Sequence, residues 1–334
     1  MTPTRKLAIV VALAVAVAVG IVKLGDIGRL FFNETSPIVS GVVCDSTQAV
    51  ISGARFGPEW AVAVDDDFDG PAGARVGGPW YTESKLAGYW PRYDTKGGRN
   101  CAMQEFFPDP DGPDQYNSTL GLHRPTGWND MKLRAVFCCE ASPPASRNIK
   151  PVAMRGGRPG MWSYPNARFD VYPQIADGSG TPGHIYLADV TGATFSNVWA
   201  RSGAPWSDGR WHTLEVDLSE GRDVYAAWID GALFRTTAGP ARLGGALTNL
   251  YLWSYNATDP GGPTKVWWDH VTVTAYGQVV LGDAQDWSAC TQRKALRWAS
   301  WTDTKITLPS PAGAGWLFVV NAAGVASERG ARVE

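Results

Sequence analysis

The stretch "RWASWTDTKITLPSPAGAGWLFVVNAAGVASERGARVE", residues 297–334, decides the fold. Its short β-rich runs, "KITL" and "WLFVV", are cut by Gly, Pro and Asp clusters, the pattern of successive strands joined by tight turns. It reads as the closing strands of a small β-sandwich, yet nothing immediately upstream supplies the opening ones. A few strands alone bury too little to be stable. The missing half has to come from elsewhere in the chain.

The other half lies near the opposite end, in "SPIVSGVVCDSTQAVISGARFGPEWAVAV", residues 36–64. Alternation in "AVISGARFG" points to a strand running into a tight Gly turn. "ISGARFG" resembles the "ITGxxFG" signature that opens IPT/TIG domains, which are immunoglobulin-like sandwiches. "WASWTDTKITLPSPAGAGWLFVVNAAGVAS" is similar to the closing half of the same family. The resemblance implies one immunoglobulin-like domain split into residues 36–64 and 286–334, with a second domain, 65–285, inserted between. An inserted guest needs termini that lie close together. Closing the split domain implies a Cys44–Cys290 disulfide, and a second bridge is expected from Cys101 to Cys138 or Cys139. In "KLRAVFCCE" Cys138 shares a strand face with Arg134 and Cys139 with Phe137, so only one of them can meet a given partner.

Composition sets the class. The chain has 334 residues, only 19% of them charged, with 38 Gly, 23 Pro and 16 Trp, which suits an all-β protein with many turns. A formal net charge of −2 and the lack of any basic run argue against a nucleic-acid partner. In "MTPTRKLAIVVALAVAVAVGIVKLG", Arg5 and Lys6 precede an apolar run from Leu7 to Val22. That run is shorter than the ~20 residues of a bilayer span, and the small residues Ala16–Ala18 suit cleavage. Residues 1–24 are therefore expected to be a secretory signal, with an uncleaved membrane anchor as the alternative. In both cases the rest of the chain is exported, to the medium, the cell surface or the periplasm, where disulfides persist. Five Cys is an odd number, so one stays unpaired, and no C-x-x-C or Cys/His spacing suggests zinc.

The inserted region runs from "VDDDFDGPAG" to "TKVWWDHVTVTAYG". In "TLEVDL" the residues Leu214, Val216 and Leu218 share one face, with Glu215 and Asp217 on the other. "VYAAWIDG" ends in Asp230-Gly231, a hairpin signal. Many such strands without helical periodicity argue a two-sheet jelly roll. The stretches "DDDFDG", "RWHTLEVDLSEGRDVYAAWIDGALF" and "NLYLWSYNATDPGGPTKVWWDHVTVT" resemble concanavalin A-like jelly rolls of the polysaccharide lyase and laminarinase-like (LamG-like) type. The resemblance implies the fold; one fold hosts unrelated activities.

Laminarinase-like hydrolases use an E-x-D-x-x-E or E-x-D-x-E run, which sets two carboxyls roughly 5 Å apart on one strand face. No such run occurs, and a retaining glycosidase is not expected. In "RFDVYPQI" Arg168, Asp170, Tyr172 and Gln174 share a face, and in "HIYLADV" His184 and Tyr186 share another. Paired as a hairpin, these strands gather Arg168, Tyr172, Gln174, His184 and Tyr186. That set offers the charge neutraliser, base and acid that β-elimination on a uronic acid requires. Upstream, "MRGGRPGMW" resembles a "KGGKLPGL" segment of an alginate/glucuronan lyase group, with Arg155 and Arg158 in place of lysines. Arg keeps its proton and is a poor base, which counts against a lysine-type mechanism and leaves a charge for binding.

Aromatics add Trp90 in "GYWPRY", Trp162, and Trp253 with Tyr251 and Tyr255 in "NLYLWSYN" as sugar-stacking candidates. Trp211, Trp228 and Trp268, in regular strands, are expected in the core. The laminarinase-like resemblance also implies a structural Ca²⁺ near Asp67, Asp69 and Asp269; no cofactor is otherwise required. The residues favour an exported, non-catalytic protein that binds a polysaccharide or cell-surface glycan. A polysaccharide lyase is the alternative, and a structural or adhesive module without a sugar ligand is the third reading.

Overall fold

A computed structural model describes residues 36–45, 47–83, 90–108, 115–117, 119–140, 149–156, 168–172, 183–188, 194–200, 208–222, 224–237, 243, 245–255, 264–309 and 313–334. The apolar run Leu7–Val22 lies outside these residues. Among them no helix is long and apolar enough to cross a membrane.

Strand Trp211–Ser219 shows how the larger sandwich forms. Leu214, Val216 and Leu218 are at most 1% exposed, while Glu215 and Asp217 meet Arg134 and Lys132 of strand Asp130–Cys139 at 3.8 and 3.5 Å. The period of two in the sequence thus becomes one buried and one ion-paired face. The hairpin signal also holds: Asp230 (φ 52°) and Gly231 (φ 75°) both take left-handed backbone angles. They join the antiparallel strands Val224–Ile229 and Ala232–Thr237, as a two-residue hairpin turn requires.

These strands belong to a nine-stranded antiparallel sheet. Its path runs Ala232–Thr237, Val224–Ile229, Trp211–Ser219, Asp130–Cys139, Thr264–Tyr276, Arg99–Pro108, Arg92–Lys96, and two further strands join off it, Trp60–Asp66 on Thr264–Tyr276 and Gln115–Asn117 on Arg99–Pro108. A seven-stranded sheet faces it, in the order Thr194–Ala200, Gly183–Ala188, Arg168–Tyr172, Ile149–Arg155, Asn249–Tyr255, Thr119–His123, Tyr81–Glu83. One core joins the two, with Leu120, Val152, Phe169 and Leu250 from the seven strands and Leu133, Leu214, Trp268 and Val271 from the nine. Full burial contributes about 1.5–3 kcal/mol for each large apolar side chain. Trp268 is fully buried and donates its indole N–H to Gln104 Oε1 at 2.6 Å. Trp211 and Trp228, expected in the core, are only half-buried. Trp211 borders a second cluster on the outer face of the nine-stranded sheet, formed by Cys101, Met103, Cys138 and Trp267.

A smaller antiparallel sandwich is built from both chain ends. Strands Ile38–Cys44 and Ala49–Ala54 pair with Lys305–Leu308 and Ser300–Trp301 in one sheet; Gln278–Gly282, Arg293–Leu296, Gly315–Val320 and Ala331–Val333 form the other. Ile51 lies opposite Ile306, and both are fully buried with Phe56, Trp301, Leu317 and Val319. "SGARFG" makes its turn through Arg55 (φ 63°) and Gly57 (φ 71°). It docks on the "TDT" loop, with the Gly53 and Phe56 N–H groups donating to the Thr304 and Asp303 carbonyls, each at 3.0 Å. The two quoted stretches are therefore hydrogen-bonded to each other.

The borders between the sandwiches differ from those read off the sequence. Strand Trp60–Asp66 pairs with Thr264–Tyr276 in the larger sandwich. Gln278–Gly282, assigned by sequence to the insert, pairs with Arg293–Leu296 and Gly315–Val320.

All five cysteines are free thiols, so neither expected bridge is present. Cys138 faces the outer cluster and Cys139 the core, as their alternation required. Cys101 and Cys138 share the outer cluster but sit on strands separated by Thr264–Tyr276. Two strand spacings, roughly 9.6 Å, exceed the ~7 Å between Cα atoms that a disulfide can span. Desolvation, with Asp94 and Asp269 nearby, pushes the Cys101 thiol up to about 12. Cys44 ends a strand of one sheet of the small sandwich, whereas Cys290 caps the short 3-10 turn Trp287–Ala289, and the Cys290 Sγ is 3.3 Å from the Ala284 carbonyl oxygen.

Candidate functional site

Fully buried Phe169 and Val171 assign positions 168, 170 and 172 to the other face of the seven-stranded sheet, away from the core. The expected hairpin forms, with Tyr172 opposite His184 and Asp170 opposite Tyr186. The next strand adds Trp199 opposite His184 and Asn197 opposite Tyr186. Sequence reasoning passed over these two because "TFSNVWA" puts Phe195 on the same side, which blurs its alternation. Three adjacent strands thus bring Arg168, Asp170, Tyr172, His184, Tyr186, Asn197 and Trp199 to one sheet face by register. Trp253, on strand Asn249–Tyr255, shares that face with Asn249 and Tyr251, since Leu250 and Leu252 enter the core. Arg158, Trp162 and Gln174 lie outside the described residues.

Nearer the middle of the sheet the same face is closed. Ala153, Arg155, Asn249 and Tyr251 are at most 4% exposed. Tyr251 packs edge-on against Tyr81 at 6.1 Å. Between them Gly121 admits the Tyr81 ring, whose Cζ would lie 2.5 Å from a Cβ at that position. Arg155, expected to offer its charge to a ligand, donates Nη1 to the Met154 carbonyl at 2.7 Å and to that of Phe169 at 3.5 Å. Its charge serves the sheet, and Arg168 is the basic residue opposite it in register. Trp90 also differs from expectation. It is half-buried, and the Arg75 guanidinium lies 3.9 Å from its ring centroid, occupying a face a sugar would need.

The carboxylates on this sheet face do not form a glycosidase pair among its described strands. Asp170 and Glu83 are the acidic positions there, and no strand of this seven-stranded sheet carries two acids at alternate positions. Four strand spacings separate them, roughly 19 Å, against about 5–9.5 Å for retaining or inverting pairs.

Two of the three residues proposed for Ca²⁺, Asp69 and Asp269, are engaged by other side chains, and Asp67 is exposed. Asp269 forms an ion pair with Arg99, and Asp69 accepts a hydrogen bond from the Asn100 amide at 2.7 Å. Among the described residues no group of three or more acidic, His or Cys side chains is arranged to hold a metal. Hard cations want six or more oxygens free of competing donors.

Two histidine clusters carry other roles. His212 lies between two carboxylates, with Nδ1 2.7 Å from Asp230 Oδ2 and Nε2 3.0 Å from Asp208 Oδ1. With both ring nitrogens engaged it pins the 230–231 hairpin turn and has no site left for proton transfer. Against a desolvation cost that would raise it, hydrogen bonds from Arg210 and His212 hold Asp208 well below the usual carboxylate range. The exposed set Asp65, His270 and Thr272 has the composition of a nucleophile relay without its geometry. Asp65 and Thr272 both meet Nε2, at 2.7 and 3.3 Å, so the ring does not link them.

No family model matches the chain, and no curated protein matches it. Among solved structures it is similar to a GH16 protein from the Bacteroides ovatus mixed linkage glucan PUL in complex with a G4G4G3G product. That match has 14% identity over 63% of this chain and 99% of the other, with a TM-score of 0.45. It is similar also to SCLam, a non-specific endo-β-1,3(4)-glucanase from family GH16, at 13% identity over 73% of this chain and 98% of that one, TM-score 0.44. Bacillus licheniformis β-glucanase matches at 11% identity over 63% and 96%, TM-score 0.43. The likeness is one of architecture alone.

Proposed function

We propose that this is an exported glycan-binding protein whose ligand is a polysaccharide bearing carboxylate groups. The ligand lies across strands Arg168–Tyr172, Gly183–Ala188 and Thr194–Ala200. One observation carries the proposal: the register that sets His184 between Tyr172 and Trp199, and Asp170 opposite Tyr186, on the face away from the buried Phe169 and Val171. Arg168 supplies the charge that recognises a carboxylate, the hydroxyl and imidazole groups supply hydrogen bonds, and Trp199 supplies flat apolar surface for sugar rings. The small sandwich acts in this reading as an IPT/TIG-type support split by the binding domain.

A second reading, β-elimination, is favoured by the direct opposition of Tyr172 and His184. One of them would take the proton α to a uronate carboxylate and the other would protonate the leaving glycosidic oxygen, with Arg168 neutralising the carboxylate. Incubating the protein with uronic-acid polymers and neutral β-glucans, alongside an immobilised glycan array, separates the readings. Binding to acidic polymers without new ultraviolet absorbance supports the binder. Growth of absorbance from an unsaturated uronate supports the lyase. No binding and no product removes the glycan reading and leaves a structural module.

A further inference from the structure

We propose that the contact between the two sandwiches is a proton-linked seam, built around Asp130, that tightens as the medium becomes more acidic. Asp130 opens strand Asp130–Cys139 and is 1% exposed. Its Oδ1 accepts hydrogen bonds from Ser219 Oγ at 2.6 Å and the Gly221 N–H at 2.8 Å. Its Oδ2 is buried and has no hydrogen-bond partner among the described residues.

Gly221 links this carboxyl to the small sandwich. The Trp298 N–H donates to the Gly221 carbonyl at 3.3 Å, and Trp298 belongs to the small sandwich's core. A Cβ on Gly221 would lie 3.0 Å from both Asp130 Oδ1 and Trp298 Nε1, so the approach depends on glycine. Beside it, Arg124 crosses the same seam, donating Nη2 to the Asn321 and Ala322 carbonyls at 3.3 and 3.2 Å. Thr126 Oγ1 donates to the Gly324 carbonyl at 3.1 Å.

The charges that act on Asp130 come from the larger sandwich. Arg222 is held by Asp217 at 2.6 Å, Arg124 is turned toward the small sandwich, and Glu220 accepts from Leu243 N and Asn129 Nδ2. The small sandwich presents the Trp298 indole and main-chain carbonyls. Burial therefore dominates: it raises the Asp130 carboxyl to about 6, against the lowering effects of Ser219, Gly221, Arg222 and Arg124.

Opening the seam returns Asp130 to water and to the ordinary carboxylate range, so closing it takes up a proton. A raised folded-state value stabilises below the unfolded value of 3.8 and is lost as pH rises through about 6. Each pKa unit is a factor of ten, so acidification through this window favours closure by on the order of 100-fold.

The test compares full-length wild type and Asp130→Asn by thermal unfolding between pH 4.5 and 7.5. Asn keeps the Oδ1 acceptor and removes the ionisable proton. The expected result is a variant more stable than wild type at pH 7.5, with the difference shrinking steadily toward pH 4.5. A variant that is destabilised equally at every pH, or most at neutral pH, overturns the proposal. The second outcome would make Asp130 the counter-ion of Arg124. Should the variant not fold, carboxyl ¹³C titration of wild type and Gly221→Ala decides. An Asp130 midpoint near 6 that drops toward 4 when Gly221→Ala parts the seam supports it; a wild-type midpoint near 4 overturns it.

Discussion

Ile51 and Ile306 come from opposite ends of the chain yet lie directly opposite each other in one sheet, both fully buried. Truncating either to Ala removes three carbon groups, worth about 2.4 kcal/mol at ~0.8 kcal/mol each. The cavity left behind adds to this, for a total of about 3 kcal/mol within the usual 2–5 range for Ile→Ala. Because the residues touch, the second truncation removes contacts the first has already lost. The double variant should therefore cost less than the sum of the singles, by about 0.5–1 kcal/mol. Urea unfolding followed by Trp fluorescence reports on this core directly, since Trp298 and Trp301 sit in it. Singles that cost about 3 kcal/mol each but add to within about 0.3 kcal/mol would refute the pairing of the two ends.

Trp268→Phe should cost about 2–4 kcal/mol, through lost volume in the main core and the loss of the indole donor to Gln104; denaturant midpoints measure it. Thiol titration without reductant should find all five cysteines free after unfolding. In the native protein Cys44 should react first, because it is exposed while Cys101, Cys138 and Cys139 are fully buried; fewer than five thiols after unfolding would contradict the free-thiol arrangement.

What could be read from the sequence followed from where each interaction is encoded. "TLEVDL" was legible because one side of its strand packs on a core and the other pairs with charges, a pattern written in alternate residues. The turn in "SGARFG" was legible because it needs left-handed angles at Arg55 and Gly57, which leaves a signature in one short stretch. The border at Gln278 was not legible. "QVVLG" is an apolar run like its neighbours, and only its partners, set by distant register, assign it to the small sandwich. Arg155 shows the same limit at the site: the resemblance of "MRGGRPGMW" marked it as a charge for binding, but whether its face is closed depends on residues remote in sequence. Trp90 is covered by Arg75, and the cysteines are parted by an intervening strand; neither fact has a local pattern. Trp199 was missed for the opposite reason, a local pattern blurred by Phe195.

The most direct test of the glycan-binding account is calorimetric titration of a soluble polyuronate into wild type, Arg168→Ala and Tyr172→Ala, with circular dichroism to verify the fold. Phe169 and Val171 hold their strand in the core, so both variants should fold as wild type does. Arg168→Ala should lose about 1.5–3 kcal/mol of affinity, as for a hydrogen bond to a charged group, roughly a 10- to 150-fold rise in Kd. Tyr172→Ala should weaken binding as well. Wild-type binding that persists unchanged in both folded variants would contradict the assignment of the ligand to this sheet face.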